Sequence, residues 1–241
     1  MGDKSGIEWT DATWNPVTGC TAISAGCDHC YAELLSYRLQ KMGSAKYKNG
    51  FEVTLHPEVI TQPLRWKSPR RVFVNSMSDL FHARVPREFV VQIWEVMARC
   101  PQHTFQILTK RPERMARFTA DYPAPSNVWL GTSVEDIRVT QRIDRLRECH
   151  ADIRFLSCEP LIGPLSNLDL EGISWVIVGG ESGRDFRPIE KEWVRDILMQ
   201  CQTSNIAFFF KQWGGLTPKS GGRLLDGEVW DQLPKEVVAH H

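Results

Sequence analysis

The chain has 241 residues, 42% of them apolar, and its 29 basic and 29 acidic side chains cancel at neutral pH. That length suits one large domain or two small ones, and the apolar share supports a sizeable core. The balance removes any global signal for a nucleic-acid or membrane partner, no run approaches the roughly 18 apolar residues of a membrane span, and the opening residues 1–9 hold no apolar signal region; a cytoplasmic protein is expected.

In chain order, residues 13–18 read as a short first strand. Cys20, Cys27 and Cys30 come next, spaced C-x6-C-x2-C in a loop that also holds Gly19 and Gly26. A helix is expected over 31–42, with Leu34, Leu35, Arg38, Leu39 and Met42 in register. Residues 51–56 suggest another short strand, and 57–66 a helix or turn. Short, nearly continuous apolar runs then recur at 71–74, 105–108, 128–130, 153–156, 175–178 and 206–210. Such runs fit parallel strands buried on both faces. Helical patterns lie between several of them. One is carried by Phe89, Val90, Ile93, Trp94 and Met97. A second starts at Pro112 and runs through Met115 and Phe118. A looser one runs through Ile137, Ile143 and Leu146, and the last through Trp193, Val194, Ile197, Leu198 and Cys201. Strands alternating with helices predict a single α/β domain over 1–241: a partial or complete TIM-like (β/α) barrel of about six to eight parallel strands, open or closed.

The polar clusters at the ends of these runs carry the function. The apolar runs give way to Asn75-Ser-Met-Ser-Asp79, Thr109-Lys-Arg111, Gly131-Thr-Ser-Val-Glu135, Ser157-Cys-Glu-Pro160, Gly179-Gly-Glu-Ser182 and Lys211-Gln-Trp-Gly-Gly215. In parallel barrels the carboxyl ends of the strands build the active site. Asp79 and Glu135 also suit helix N-termini, where an acid caps free N–H groups. Lys110, Arg111 and Lys211 suit an anionic group such as a phosphate, or a solvated loop. Trp14 and Trp213 sit near these loops, where they would pack or stack on a base.

Of the seven cysteines, Cys100, Cys149 and Cys201 end helical patterns and read as buried structural thiols, whereas Cys158 at a strand end stays open. The clustered three admit three readings. A structural zinc site wants four ligands, and this loop offers one Cys-x2-Cys pair, a third Cys, and His29 or His82 to complete it. A 4Fe–4S cluster usually takes four thiolates, so three leave one iron open to a ligand. The thiols could also be incidental.

A three-cysteine loop after a first strand, then a helix and a partial barrel, resembles the radical S-adenosylmethionine (SAM) superfamily, whose common spacing is C-x3-C-x2-C. More closely, Ile7-Glu-Trp-Thr-Asp-Ala-Thr-Trp-Asn-Pro-Val-Thr-Gly-Cys20, Cys27-Asp-His-Cys-Tyr-Ala-Glu33 and the strand-end pieces resemble a phage- and bacterium-associated three-Cys-motif family of unassigned activity. The resemblance implies that Cys20, Cys27 and Cys30 hold a 4Fe–4S cluster whose fourth iron binds S-adenosylmethionine, with Gly19 and Gly26 letting the loop wrap closely around the cluster. Cleavage of that cofactor would give a 5′-deoxyadenosyl radical acting on a nucleotide, nucleic acid or modified base. It places Asn75, Ser76, Ser78 and Asp79 at the SAM amine, although the usual Gly-Gly-Glu is missing there. Ser133 and Glu135 would face the ribose. Gly179 and Gly180 would close over the cofactor, and Lys110, Glu159, Glu181 and Lys211 would serve catalysis. The implied partners are a protein named for the same motif and an electron donor such as flavodoxin or ferredoxin. The rival expectations are a zinc-containing nucleic-acid-binding module and a non-catalytic phage-associated protein.

Overall fold

The computed structural model describes residues 5–235. Among them, seven strands make one parallel sheet in sequence order: β1 (Ala12–Trp14), β2 (Arg71–Val74), β3 (Thr104–Thr109), β4 (Val128–Ser133), β5 (Arg154–Cys158), β6 (Trp175–Gly179) and β7 (Ala207–Gln212). Each pairs in parallel with the next; β1 is one outer strand, and β7 at the other side is met by residues 230–232 in an antiparallel bridge. The sheet curls into a half-barrel, so the expected α/β partial barrel is what the chain forms. Helices α1 (Tyr31–Lys41), α2 (Arg87–Ala98), α3 (Pro112–Asp121), α4 (Arg142–Arg147) and α5 (Lys191–Thr203) occupy the crossovers. Only the β5–β6 crossover lacks one among the described residues. No described helix is long and apolar enough to cross a membrane.

Successive side chains of a strand point to opposite faces, and here the two faces have separate cores. Val72, Val74, Phe105, Ile107, Leu130, Leu156, Val176, Val178, Phe208 and Phe210 join the apolar faces of α2, α3 and α5 in the larger one. The alternate positions Phe73, Trp129, Phe155, Trp175, Ile177 and Phe209 fill the concave side with Trp9. Trp175 stands at their centre, with ring centroids 6.1 Å from Trp9, 5.9 Å from Trp129, 5.6 Å from Phe155 and 6.0 Å from Phe209. This aromatic plug lies toward the amino ends of the strands and closes the half-barrel from below. Cys100, Cys149, Cys158 and Cys201 are all buried; burial also pushes up the Cys149 and Cys158 thiols.

Two sequence expectations change, and the helix or turn expected over 57–66 becomes specific. The strand over 13–18 divides at Pro16, which has no N–H to give a ladder. Ala12–Trp14 stays in the main sheet, while Val17–Thr18 turns to pair antiparallel with Thr54–Leu55. Residues 57–66 form two short 3-10 turns, Pro57–Val59 and Gln62–Arg65. The helix over 31–42 forms, but Leu34, Leu35 and Met42 face outward and the small Ala32 and Ser36 face the protein. A hairpin, Leu224–Leu225 with Glu228–Val229, was not expected from the sequence.

Candidate cofactor and active site

The concave alternation that makes the plug continues upward and sets the site. Two residues beyond Phe73 is Asn75; beyond Leu108 is Lys110. Beyond Trp129 come Gly131 and Ser133, beyond Phe155 come Ser157 and Glu159, beyond Ile177 come Gly179 and Glu181, and beyond Phe209 comes Lys211. The same period that buries aromatic rings at one end delivers polar groups at the other. The three-cysteine loop lies across these ends. Between them is a cavity of about 390 Å³.

Of the sequence-predicted residues, Cys20, Cys27, Cys30, Asn75, Ser76, Ser78, Asp79, Lys110, Ser133, Glu159, Gly180, Glu181 and Lys211 line that one cavity. Gly179 and Glu135 do not. Trp14 is fully buried against Phe105 in the larger core, and Trp213 packs on Phe210 with its Nε1 donating to Leu224 O at 2.8 Å.

Three carboxylates hold the loop in place. Asp79 accepts from Arg111 Nη1 at 2.8 Å and Thr109 Oγ1 at 2.7 Å, while the same Nη1 donates to Cys20 Sγ at 3.5 Å. Arg111 Nη2 reaches Thr21 O at 3.0 Å. Glu135, 1% exposed, accepts from Ser24 Oγ and Arg142 Nη1 at 2.8 Å and pairs with Lys110 Nζ at 2.9 Å. Glu181 accepts from Arg187 N at 2.8 Å and Arg187 Nη2 at 2.5 Å, and meets His29 Nδ1 at 3.0 Å. Arg187 continues to Ala25 O at 2.9 Å and Asp28 at 3.3 Å. Each of the three acids thus ties a different part of the loop to a different strand end. Asp79 also turns its own backbone by accepting from Phe81 N at 2.9 Å. The cap expected of Glu135 is made by its neighbour Asp136, which accepts from Arg138 N at 2.9 Å.

These contacts set the electrostatics. Burial pushes the Glu135 carboxyl up, but the charges of Lys110 and Arg142, with hydrogen bonds from Lys110 and Ser24, outweigh it and leave the group below its ordinary value. Glu181 behaves alike: burial raises it, and the hydrogen bonds from Arg187 win. Burial raises the Cys20 thiol, Asp79 adds to the rise, and Arg111 offsets part of it. Burial raises Cys30 as well.

Gly19 and Gly26 were expected to let the loop wrap a cluster. What crowds them is the protein itself. Gly19 has φ +82°, and a Cβ there would meet Glu52 O at 2.2 Å. A Cβ on Gly26 would meet the Glu135 side chain at 2.3 Å. Arg187 was missed by sequence reasoning. It comes a few residues after the Gly179-Gly-Glu-Ser182 turn, and only the return of the chain shows that it reaches the loop.

The donor set suits an iron–sulfur group. Three thiols from one loop line one cavity, and two buried polar atoms of cavity residues, Asn75 Nδ2 and Gln212 Oε1, lack a hydrogen-bond partner among the described residues. A single zinc ion needs its sulfurs about 2.3 Å from one point. Among the described residues no group of three or more Cys, His, Asp or Glu side chains is placed to hold a metal ion. A multi-iron cluster gives each thiolate its own iron.

Residues 4–234 match the family described as a protein of unknown function, DUF5131. The chain belongs to this family. Among solved structures, spore photoproduct lyase complexed with dinucleoside spore photoproduct matches this DUF5131 protein at TM-score 0.46 and 12% identity, covering 77% of this chain and 59% of that one. A double mutant of that lyase with bound AdoMet and dinucleoside spore photoproduct matches at TM-score 0.44 and 11% identity, covering 78% and 60%. The DUF5131 chain therefore spans about three-fifths of the lyase. No curated protein matches it.

Proposed function

We propose that the protein is a radical SAM-type iron–sulfur enzyme that acts on a nucleotide, nucleic acid or modified base. One observation carries the reading: three thiols on one loop face a single cavity ringed by the polar ends of consecutive parallel strands. Cys20, Cys27 and Cys30 would hold a 4Fe–4S cluster through their thiolates. When bound, the cluster with S-adenosylmethionine supplies a 5′-deoxyadenosyl radical able to abstract a hydrogen atom.

The chain's own residues bind, orient and shield. Asn75 sits in the left-handed region at φ 61°, where its Oδ1 accepts from Val17 N at 3.2 Å. That bond fixes the amide and leaves Nδ2 as a donor for a cofactor oxygen. Ser76, Ser78, Ser133 and Gly180 complete a small, polar cofactor wall. Asp79, Glu135 and Glu181 act indirectly, by fixing the loop. Lys211 Nζ donates to Glu159 Oε1 at 2.5 Å, at the ends of β7 and β5, in the cavity wall. This pair is the acid–base group best placed for the substrate, and Lys110 adds positive charge for an anionic one. Trp9, Phe73 and Leu108 supply an apolar floor suited to a heterocycle and exclude water from below.

The test is anaerobic reconstitution with iron and sulfide, reduction by dithionite and addition of S-adenosylmethionine. About four irons and four sulfides per chain and formation of 5′-deoxyadenosine are expected. Replacing any one of Cys20, Cys27 and Cys30 by Ala should abolish the cluster. Stable binding of one zinc in place of iron and sulfide would overturn the reading.

A further inference from the structure

Among the described residues, Arg111 is the one cation that donates a hydrogen bond to a thiol of the loop. Its Nη1 lies 3.5 Å from Cys20 Sγ and 2.8 Å from Asp79 Oδ2. Its Nη2 donates to Thr21 O at 3.0 Å and to Thr21 Oγ1 at 3.2 Å. The side chain is 15% exposed, so these partners leave little of it for the anionic group that its sequence position suits. Asp79 aims the fork. Besides Arg111 it accepts from Thr109 Oγ1 at 2.7 Å, Phe81 N at 2.9 Å and Lys110 N at 3.2 Å. Thr109 Oγ1 in turn accepts from Arg111 N at 2.9 Å. The ion pair is therefore an oriented dipole, fixed at both ends, with its positive end on the sulfur of Cys20. The other two thiols are placed differently: Ser24 Oγ stands 3.9 Å from Cys27 Sγ, and Cys30 opens helix α1.

A 4Fe–4S cluster gains one negative charge when it takes up one electron, and charge and hydrogen bonds at its sulfurs set how readily it does so. A cation donating to a ligand sulfur stabilises the reduced form more than the oxidised one, and a water-poor wall strengthens the effect. We propose that Arg111, aimed by Asp79, is a positioning residue that acts through Cys20 to raise the reduction potential of the cluster. The inference rests on the iron–sulfur reading above. The step it eases is the transfer of one electron from a low-potential one-electron reductant to the cluster, with no bond formed or broken.

The test is an anaerobic redox titration of the reconstituted chain with dithionite, without S-adenosylmethionine, read by electron paramagnetic resonance of the reduced cluster. Arg111→Gln removes the cation and leaves Asp79 unpaired. Its equilibrium constant for one-electron reduction should fall at least about tenfold, a potential about 59 mV lower. Arg111→Lys keeps the charge and should recover more than half of that shift. Asp79→Asn removes the opposing charge and should raise the same constant at least about threefold. A clamp that merely held the loop would not reverse sign between Arg111→Gln and Asp79→Asn. Constants within about twofold of the parent in both, or shifts of one sign, overturn the proposal. Loss of the cluster from Arg111→Gln overturns it too, because the residue then only holds the loop. Iron and sulfide content of the parent separates the two failures. A parent that assembles no cluster refutes the proposed function and this inference with it, whereas a loaded parent whose potential ignores the variants refutes this inference alone.

Discussion

Glu135 shows how much of this site depends on single atoms. Its carboxylate is buried with two cations and a hydroxyl, and Gly26 lies so close that a methyl group would collide with it. Removing one member of a buried ion cluster leaves the others charged and unpaired, at a cost of about 3–5 kcal/mol. Glu135→Gln should lower stability by that order in urea unfolding and loosen the loop at Ser24. Gly26→Ala should act in the same direction, by pushing the loop off Glu135. If Glu135→Gln unfolds at the parental urea concentration, the carboxylate is not holding the loop. Both residues stand out in the sequence, but there Glu135 is assigned to a ribose and Gly26 to a cluster. Residue type alone tells that an acid is needed at a strand end. It does not tell that Ser24, more than a hundred residues earlier, arrives to use it. Arg187 was invisible for the same reason.

Elements were more legible, because continuous β-branched and aromatic runs leave few alternatives to buried parallel strands. The runs at 71–74, 105–108, 128–130, 153–156, 175–178 and 206–210 all lie in or across strands of the sheet. The hairpin of Leu224–Leu225 with Glu228–Val229 escaped notice, since a pair of residues has no period. α1 misled for a subtler reason: its leucines repeat as a core face would, yet the helix turns its small side toward the barrel. The division of each strand into an outer and an inner core was also hidden, because both faces are apolar until the strand ends. The inner core has one hub. Trp175 is fully buried among four aromatic rings, and its Nε1 donates to Gln232 O at 2.9 Å. Trp175→Ala should cost about 3–5 kcal/mol through the void it leaves. Trp175→Phe should recover a large part of that. A loss below about 1 kcal/mol for the alanine variant would mean that the plug does not set the stability of the half-barrel.

At the scale of the whole molecule, buried titratable groups distributed over the fold dictate how it responds to acid. Burial lowers the His56, His82 and His103 pKa values below the ordinary 6.5; Lys46 pushes His56 further down, and Arg111 does the same to His82. As pH falls through 6.5 the unfolded chain takes up these protons before the folded chain does. Stability must therefore fall with pH there, and the loss levels off below the folded-state values. Glu135 and Glu181 stand below their ordinary 4.5 in the folded chain. Their contribution is present above that value and is lost as pH falls through the lower folded-state values, so a second decline sets in at stronger acidity. The melting temperature, scanned by calorimetry, should descend in these two stages below about pH 7. His103 offers the cleanest dissection, since it is 1% exposed between Trp66 and Phe105 and far from the thiol loop. His103→Gln should reduce the first descent and leave the second intact, whereas Glu181→Gln should reduce the second. A melting temperature unchanged between about pH 7.5 and 5.5 would show that the buried histidines gain their protons equally in both states.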